Sequence, residues 1–154
     1  MKDSGFFVLA EKRKRLATLY TWNKDHLETT GGATDGFETE PGFASGGGGL
    51  VTTARDYARI GQMLLNHGTL DGVRVLSPSA AQAIMTDHLA PASVTGEYGI
   101  GFQHLRPGYK YGYNGVVVTD PAAANVALGR SYLWHGAAVT WFWVDPENQL
   151  VSSA

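Results

Sequence analysis

Cysteine is absent from this sequence. Disulfide bonds and thiolate chemistry are therefore excluded as sources of stability or activity, while the redox compartment stays open. Long apolar runs are absent too: none approaches the ~20 residues that a membrane-spanning helix needs. Met1 is followed by polar residues rather than by the apolar region of a secretion signal. We therefore expect neither a membrane span nor a secretion signal within this stretch.

An excess of charge of either sign is also missing. Twelve Lys and Arg face fourteen Asp and Glu, which gives a formal net charge of −2. This balance gives no reason to expect a nucleic-acid partner or an anionic membrane surface. The one basic cluster, residues 11–15, is interpreted as a solvated loop or helix end. With 44% hydrophobic residues, the composition is that of an ordinary globular domain.

Motifs that would identify a catalytic centre by themselves are not found. No serine begins Ser-x-x-Lys or lies within Gly-x-Ser-x-Gly. The five histidines are scattered, without the spacing of metal ligands. The glycine run at residues 46–49 lacks the Gly-Lys-Ser/Thr of a phosphate-binding loop, and Val51 breaks the dinucleotide-binding pattern. We therefore expect no metal and no cofactor, and we interpret the glycine run as a tight backbone passage into a helix.

Two helices and a hairpin turn are indicated in the middle of the chain. Thr53 is a suitable N-cap for a helix that runs to about Asn66 with apolar residues at helical spacing. Asp71-Gly72 predicts a hairpin turn. Ser77 followed by Pro78 predicts the start of a second, shorter helix.

The C-terminal third indicates strands. Residues 131–146 predict one long strand, since aromatic and β-branched residues dominate it. Alternation assigns one face to Leu133, His135, Ala137, Val139, Trp141 and Trp143 and the other to Trp134, Gly136, Ala138, Thr140, Phe142 and Val144. Residues 98–104 and 115–119 predict further strands, separated by a loop, and residues 121–130 predict a second loop. Short extended pieces are expected at residues 5–9 and 16–22. Loops, then helices, then strands indicate an α+β fold with an antiparallel sheet.

Three separated stretches occur in an order that one family shares: GFASGGGGLVTTARDYARIGQMLLNHGTLDGVRVLSP, then EYGIGF, then SYLWHGAAVTWFWVDPENQLV. Together they resemble the C-terminal half of the serine β-lactamase-like family, and the esterase-like branch most of all. That family includes class C β-lactamases, penicillin-binding DD-peptidases and related esterases. The opening MKDSGF is similar to the segment after the family's second motif. The resemblance implies an antiparallel sheet flanked by helices, incomplete in this chain, with residues 1–154 forming the C-terminal portion of a single domain.

The resemblance also implies site residues. The family's site combines Ser-x-x-Lys, Tyr-x-Asn and a Lys-Thr-Gly-type triplet, and Trp134-His135-Gly136 resembles variants of the triplet. The backbone N–H of Ala137 would then be an oxyanion-hole donor, and the nucleophile, its lysine and the tyrosine would lie upstream of Met1. If Trp134 faces the cleft, alternation predicts that His135 is buried behind it. The implied ligand of the parent enzyme is an ester or a β-lactam-type small molecule, in the cytoplasm or periplasm of a bacterial-type cell.

Two functional hypotheses follow. In the first, the chain is a portion of a serine hydrolase that works through an acyl-enzyme, and it is inactive alone because it lacks a nucleophile. In the second, it is a non-catalytic remnant that binds a ligand or a partner through an exposed cleft wall. In either case, a sheet that stops short leaves an open edge, which favours self-association.

Overall fold

The computed structural model describes residues 1–30, 36–90, 99–100, 103–104, 107–136, 138 and 140–154. They divide into two compact units, Met1–Asp56 and Tyr57–Ala154. Within the described ranges, no helix is long and apolar enough to cross a membrane.

The first unit contains a 3-10 helix and one hairpin. The 3-10 helix, Ala10–Arg15, carries the basic cluster, which is largely exposed, as the sequence predicts. Strand β1 (Tyr20–Asn23) pairs with β2 (His26–Thr29) in an antiparallel hairpin. The extended piece expected at residues 16–22 is thus a strand only from Tyr20 onward. Near the chain start, Gly5 and Val51 exchange two backbone hydrogen bonds, of 2.9 and 2.8 Å.

Helix α1 (Ala54–Leu65) spans the boundary between the two units and confirms the predicted helix. Its N-cap is Thr53, whose hydroxyl oxygen accepts the Asp56 N–H at 3.1 Å. Gly68 ends the helical segment with a φ of 89° and donates its N–H to the Met63 carbonyl at 2.8 Å. A side chain at Gly68 would collide with the Leu76 carbonyl, so glycine is required there for two reasons.

The second unit continues with a hairpin and helix α2. Strands β3 (Thr69–Leu70) and β4 (Val73–Arg74) are joined by Asp71-Gly72, and both turn residues have positive φ, as in a type I′ turn. Helix α2 (Pro78–Ile84) begins after Ser77, whose hydroxyl accepts the Ala80 N–H at 3.1 Å. The sequence predicts both features correctly.

The main sheet is an antiparallel meander of five strands. Its spatial order is β11-β10-β9-β8-β7. The strands are β7 (Tyr109–Tyr111), β8 (Val116–Val118), β9 (Ser131–His135), β10 (Trp141–Asp145) and β11 (Leu150–Ser153). This sheet, with helices packed against it, confirms the predicted α+β class.

Three local predictions are wrong. Strand β7 lies in the segment interpreted as a loop, and a short helix α3 (Pro121–Ala124), capped by Asp120, lies in the other. The strand predicted for residues 98–104 is two short strands, β5 (Gly99–Ile100) and β6 (Gln103–His104). These pair with each other rather than with the main sheet. Periodicity over so few residues does not distinguish one strand from a hairpin.

The prediction of a single long strand over residues 131–146 is also wrong, because these residues contain two strands, β9 and β10, that pair as a hairpin. Trp141 lies opposite His135, and the Gly136 N–H donates to the Thr140 carbonyl at 2.7 Å. The aromatic and β-branched residues on either side of Gly136 concealed this reversal in the sequence. The predicted faces survive, because the opposed positions 135 and 141 are an even number of residues apart. Opposed residues share a face, so His135 and Trp141 lie on one face and Trp134 and Phe142 on the other.

The hydrophobic core lies on the face of the sheet that carries Trp134 and Phe142. Helix α1 approaches this face closely at Gly61, where an added Cβ would lie 2.6 Å from Val151 Cγ1. The buried cluster joins residues of helices α1 and α2 and of strands β8, β9 and β10: Met63, Leu64, Leu65, Ala81, Val117, Tyr132, Phe142 and Val144.

Candidate active site

The predicted triplet lies where β9 turns into β10. Trp134 and His135 are the last two residues of β9, and Gly136 begins the turn that its N–H closes onto Thr140. An added Cβ at Gly136 would lie 2.6 Å from the Thr140 hydroxyl oxygen. Thr140 therefore occupies the space beside the glycine, and the turn tolerates a side chain at Gly136 only if Thr140 moves. The sequence alone did not identify Thr140 as part of this arrangement.

Trp134 is the anchored member of the triplet. It is half-buried, lies opposite Phe142 and packs against the hydrophobic core. Its ring meets that of Tyr111 edge to face, with centroids 6.0 Å apart. These contacts fix the end of β9, and with it the point at which the turn begins.

His135 is exposed, which corrects the expectation that it is buried behind Trp134. The strand ends at this residue, and the residue opposite it, Trp141, is itself 39% exposed. The imidazole lies nearly parallel to the Trp134 indole, at 14° with centroids 5.7 Å apart. Ala137, the predicted oxyanion-hole donor, lies outside the described residues, so its role stays a prediction.

The opposite end of the hairpin is held by a buried carboxylate. Asp145 is 1% exposed and accepts hydrogen bonds from the Gly129 N–H at 2.9 Å and from the Asn148 N–H and Nδ2 at 3.0 and 2.8 Å. Burial raises the pKa of Asp145, but the donors from Asn148 and Gly129 outweigh it, so the net pKa is lowered. The carboxylate thus ties the loop before β9 to the turn after β10. We call these three hydrogen bonds the Asp145 clamp. The sequence indicated a turn at Asp145 but not the clamp.

Tyr132 holds the loop between β7 and β8 against β9. Its hydroxyl donates to the Tyr113 carbonyl at 2.9 Å, and its ring lies over Gly115, where an added Cβ would be 2.5 Å from the nearest ring atom. Burial raises the pKa of Tyr132 to about 12, so the phenol stays neutral and serves as a structural donor.

An activated nucleophile is not found among the serines whose contacts are known. Ser4 bonds to Asp56 and Thr52, Ser77 to Ser79 and the Ala80 N–H, and Ser131 to the Gly129 carbonyl. Ser45 accepts the Gly47 N–H at 3.3 Å. None of these hydrogen bonds involves a lysine or histidine that would take the serine proton. Within the described ranges, no cluster of histidines and carboxylates could hold a metal ion.

The antiparallel sheet with helices packed against one face is the architecture expected of the serine β-lactamase-like fold. The Beta-lactamase family model matches residues 1–153, and the chain belongs to that family.

Curated relatives extend well beyond this stretch. Protein Rv1367c from Mycobacterium tuberculosis strain ATCC 25618 / H37Rv is 37% identical over 156 residues, which cover 98% of this chain. Uncharacterized protein MT1414 from strain CDC 1551 / Oshkosh matches with the same identity and coverage. The chain spans 38% of the length of each of these relatives.

Two solved structures share the fold. EstCE1, a hydrolase with promiscuous acyltransferase activity, superposes with a TM-score of 0.72 at 22% identity. Simvastatin synthase (LovD) from Aspergillus terreus superposes with a TM-score of 0.72 at 19% identity. Each match covers 98% of this chain and 40% of the solved structure.

Proposed function

We propose that this chain is the C-terminal portion of a single serine hydrolase domain of the esterase type, and that its catalytic serine lies outside these 154 residues. One observation carries the proposal: Trp134-His135-Gly136 ends an inner strand and leads directly into a closed turn. A backbone N–H held in such a turn can be directed at a reacting carbonyl. Membership of the Beta-lactamase family supports this, and the 38% coverage of the relatives is consistent with a nucleophile elsewhere.

The proposed reaction proceeds through an acyl-enzyme. The serine hydroxyl attacks the ester carbonyl, and the tetrahedral oxyanion collapses with loss of the alcohol. Water then attacks the acyl-enzyme and releases the carboxylic acid. In this scheme the Ala137 N–H donates to the oxyanion, a contribution worth about 10²- to 10³-fold in kcat. Gly136 begins the turn beside that donor, and Trp134 fixes the strand.

The proposed substrate is an ester rather than a β-lactam. His135 occupies the middle of the triplet, where the Lys-Thr-Gly type has threonine. Its exposed imidazole replaces the hydroxyl that would otherwise meet a β-lactam carboxylate. EstCE1, by its description, is a hydrolase with acyltransferase activity, which supports the ester reading.

The isolated chain should not turn over substrate, because removing an activated nucleophile costs several orders of magnitude in rate. The purified chain, shown to be folded by circular dichroism, is incubated with a short-chain aryl ester and a chromogenic β-lactam. The claim that the isolated chain is inactive would be overturned if it hydrolysed either compound and if a serine-directed acylating reagent abolished that activity. The full-length protein that contains this sequence is the positive arm and should hydrolyse the aryl ester. If the full-length protein binds the ester without hydrolysing it, the non-catalytic alternative is correct.

A further inference from the structure

The first unit contains a cavity of about 260 Å³ that the proposed hydrolase chemistry does not use. Its lining is partly apolar and partly charged, and it comes from the chain start, the 3-10 helix and the segment before α1. The apolar side chains that line it are Phe7, Val8, Leu9, Leu16 and Val51. The volume is below the ~300–1,000 Å³ of pockets that hold drug-sized ligands, so the cavity fits a short aliphatic group.

Charged side chains also line this cavity, and two of the cations pair with Asp3. Lys12 Nζ lies 2.7 Å from one carboxylate oxygen of Asp3, and Arg15 Nη2 lies 3.0 Å from the other. Lys12 also donates to the Lys2 carbonyl at 3.1 Å. These two cations lower the pKa of Asp3 to about 2, so Asp3 is ionised at any physiological pH.

A second carboxylate, that of Asp56, is bonded to the backbone of Asp3 and does not line the cavity. Asp56 is buried, and its Oδ2 accepts the Asp3 N–H at 2.7 Å and the Ser4 hydroxyl at 3.0 Å. Among the side chains that line the cavity there are three cations, Lys2, Lys12 and Arg15, and one carboxylate, Asp3, so the lining carries a net positive charge. Arg15 has a side chain 56% exposed and engages Asp3 through one nitrogen, although a guanidinium can bind two carboxylates through its separate edges.

We propose that this pocket binds a short-chain fatty carboxylate, with its alkyl chain among the five apolar side chains and its carboxylate on the open edge of Arg15. The apolar part of the lining favours the alkyl group of the ligand. The net positive charge of the lining favours a carboxylate over an alcohol or an amine of the same length. All the groups involved belong to Met1–Asp56. The binding proposal is therefore independent of the hydrolase proposal, and either one can be refuted while the other stands.

The full 154-residue chain is titrated by calorimetry with butanoate, hexanoate and octanoate, and with hexanol and hexylammonium as head-group controls. Each pair of added methylenes should tighten binding roughly 15-fold until the cavity is filled, because each buried methylene adds about a fourfold gain. Hexanol and hexylammonium should bind at least about tenfold more weakly than hexanoate. Equal affinities for the three head groups, or no saturable binding of octanoate below its micelle concentration, would overturn the proposal.

Two variants and a matched control locate the site. Arg15→Gln should weaken hexanoate binding at least about tenfold and leave hexanol binding unchanged. Lys14→Gln is the control, since Lys14 lies on the same 3-10 helix, is exposed and does not line the cavity. Leu9→Asp places a negative charge in the wall at a side chain already 48% exposed, so folding should be kept while hexanoate binding is lost. Hexanoate binding that survives both Arg15→Gln and Leu9→Asp would show that the anion binds elsewhere.

Discussion

Replacing Asp145 with alanine should be one of the most destabilising single changes in the second unit. The substitution removes the acceptor of the half-buried Gly129 N–H and of two donors on the exposed Asn148. An unsatisfied donor costs about 1–3 kcal/mol where it is buried and less where water can replace the acceptor, so the expected loss in the free energy of unfolding is roughly 2–3 kcal/mol. That is a large share of the ~5–15 kcal/mol by which domains are usually stable.

Urea unfolding followed by tryptophan fluorescence at neutral pH measures this loss. Asp120→Ala is the matched control, because Asp120 caps the short helix α3 through the Ala123 N–H at 3.0 Å and is exposed. Its removal should cost only about 1 kcal/mol. A loss below about 1 kcal/mol for Asp145→Ala would refute the clamp, since even one orphaned donor costs that much.

The same clamp predicts a pH dependence with a definite sign. The folded pKa of Asp145 is lowered, so its contribution to stability is present above its unfolded pKa of about 3.9. The contribution is lost as the pH falls through the folded pKa. Wild type and Asp145→Ala should therefore converge in stability as the pH is lowered below about 4. A stability difference that stays constant down to the acid transition would contradict the hydrogen-bonded carboxylate.

Three further outcomes are expected. Gly61→Ala should lower the free energy of unfolding in urea by about 1–3 kcal/mol, because the added Cβ meets Val151. Adding Val151→Ala should relieve part of that loss, and additive effects of the two substitutions would contradict the contact. His135→Gln should leave the melting temperature unchanged, since His135 is exposed, and a fall of several degrees would show that it is a structural donor after all. The isolated chain should self-associate, because the edge strand β11 contains neither charge nor proline; a clean monomer in sedimentation, without apolar-dye binding, would count against it.

Features that depend on local chemistry could be predicted from the sequence. The N-cap Thr53, the Asp71-Gly72 turn and the Ser77-Pro78 helix start each satisfy a backbone requirement within a few residues of chain, and all three are present. The α+β class follows from the order of such elements, and the family follows from several motifs in sequence.

Features that depend on tertiary contacts could not be predicted in this way. The β9–β10 hairpin was concealed because its turn is short and lies between strongly β-favouring residues, while the Gly136–Thr140 hydrogen bond that closes it cannot be read from composition. The exposure of His135 is set by where β9 ends, and alternation gives only its face. The Asp145 clamp joins residues 129 and 145, and no spacing rule indicates that pair.

The most direct test of the proposed oxyanion strand is the kcat of the full-length protein with Gly136→Val. The valine should clash with Thr140, whose carbonyl accepts the Gly136 N–H, so kcat for an aryl ester should fall by about 10²-fold or more with folding kept. Gly42→Val is the matched control, because nothing lies within 4 Å of an added Cβ there. The double variant Gly136→Ala/Thr140→Ala, which removes the clash, should recover part of the activity. A folded Gly136→Val enzyme with the kcat of Gly42→Val would contradict the account.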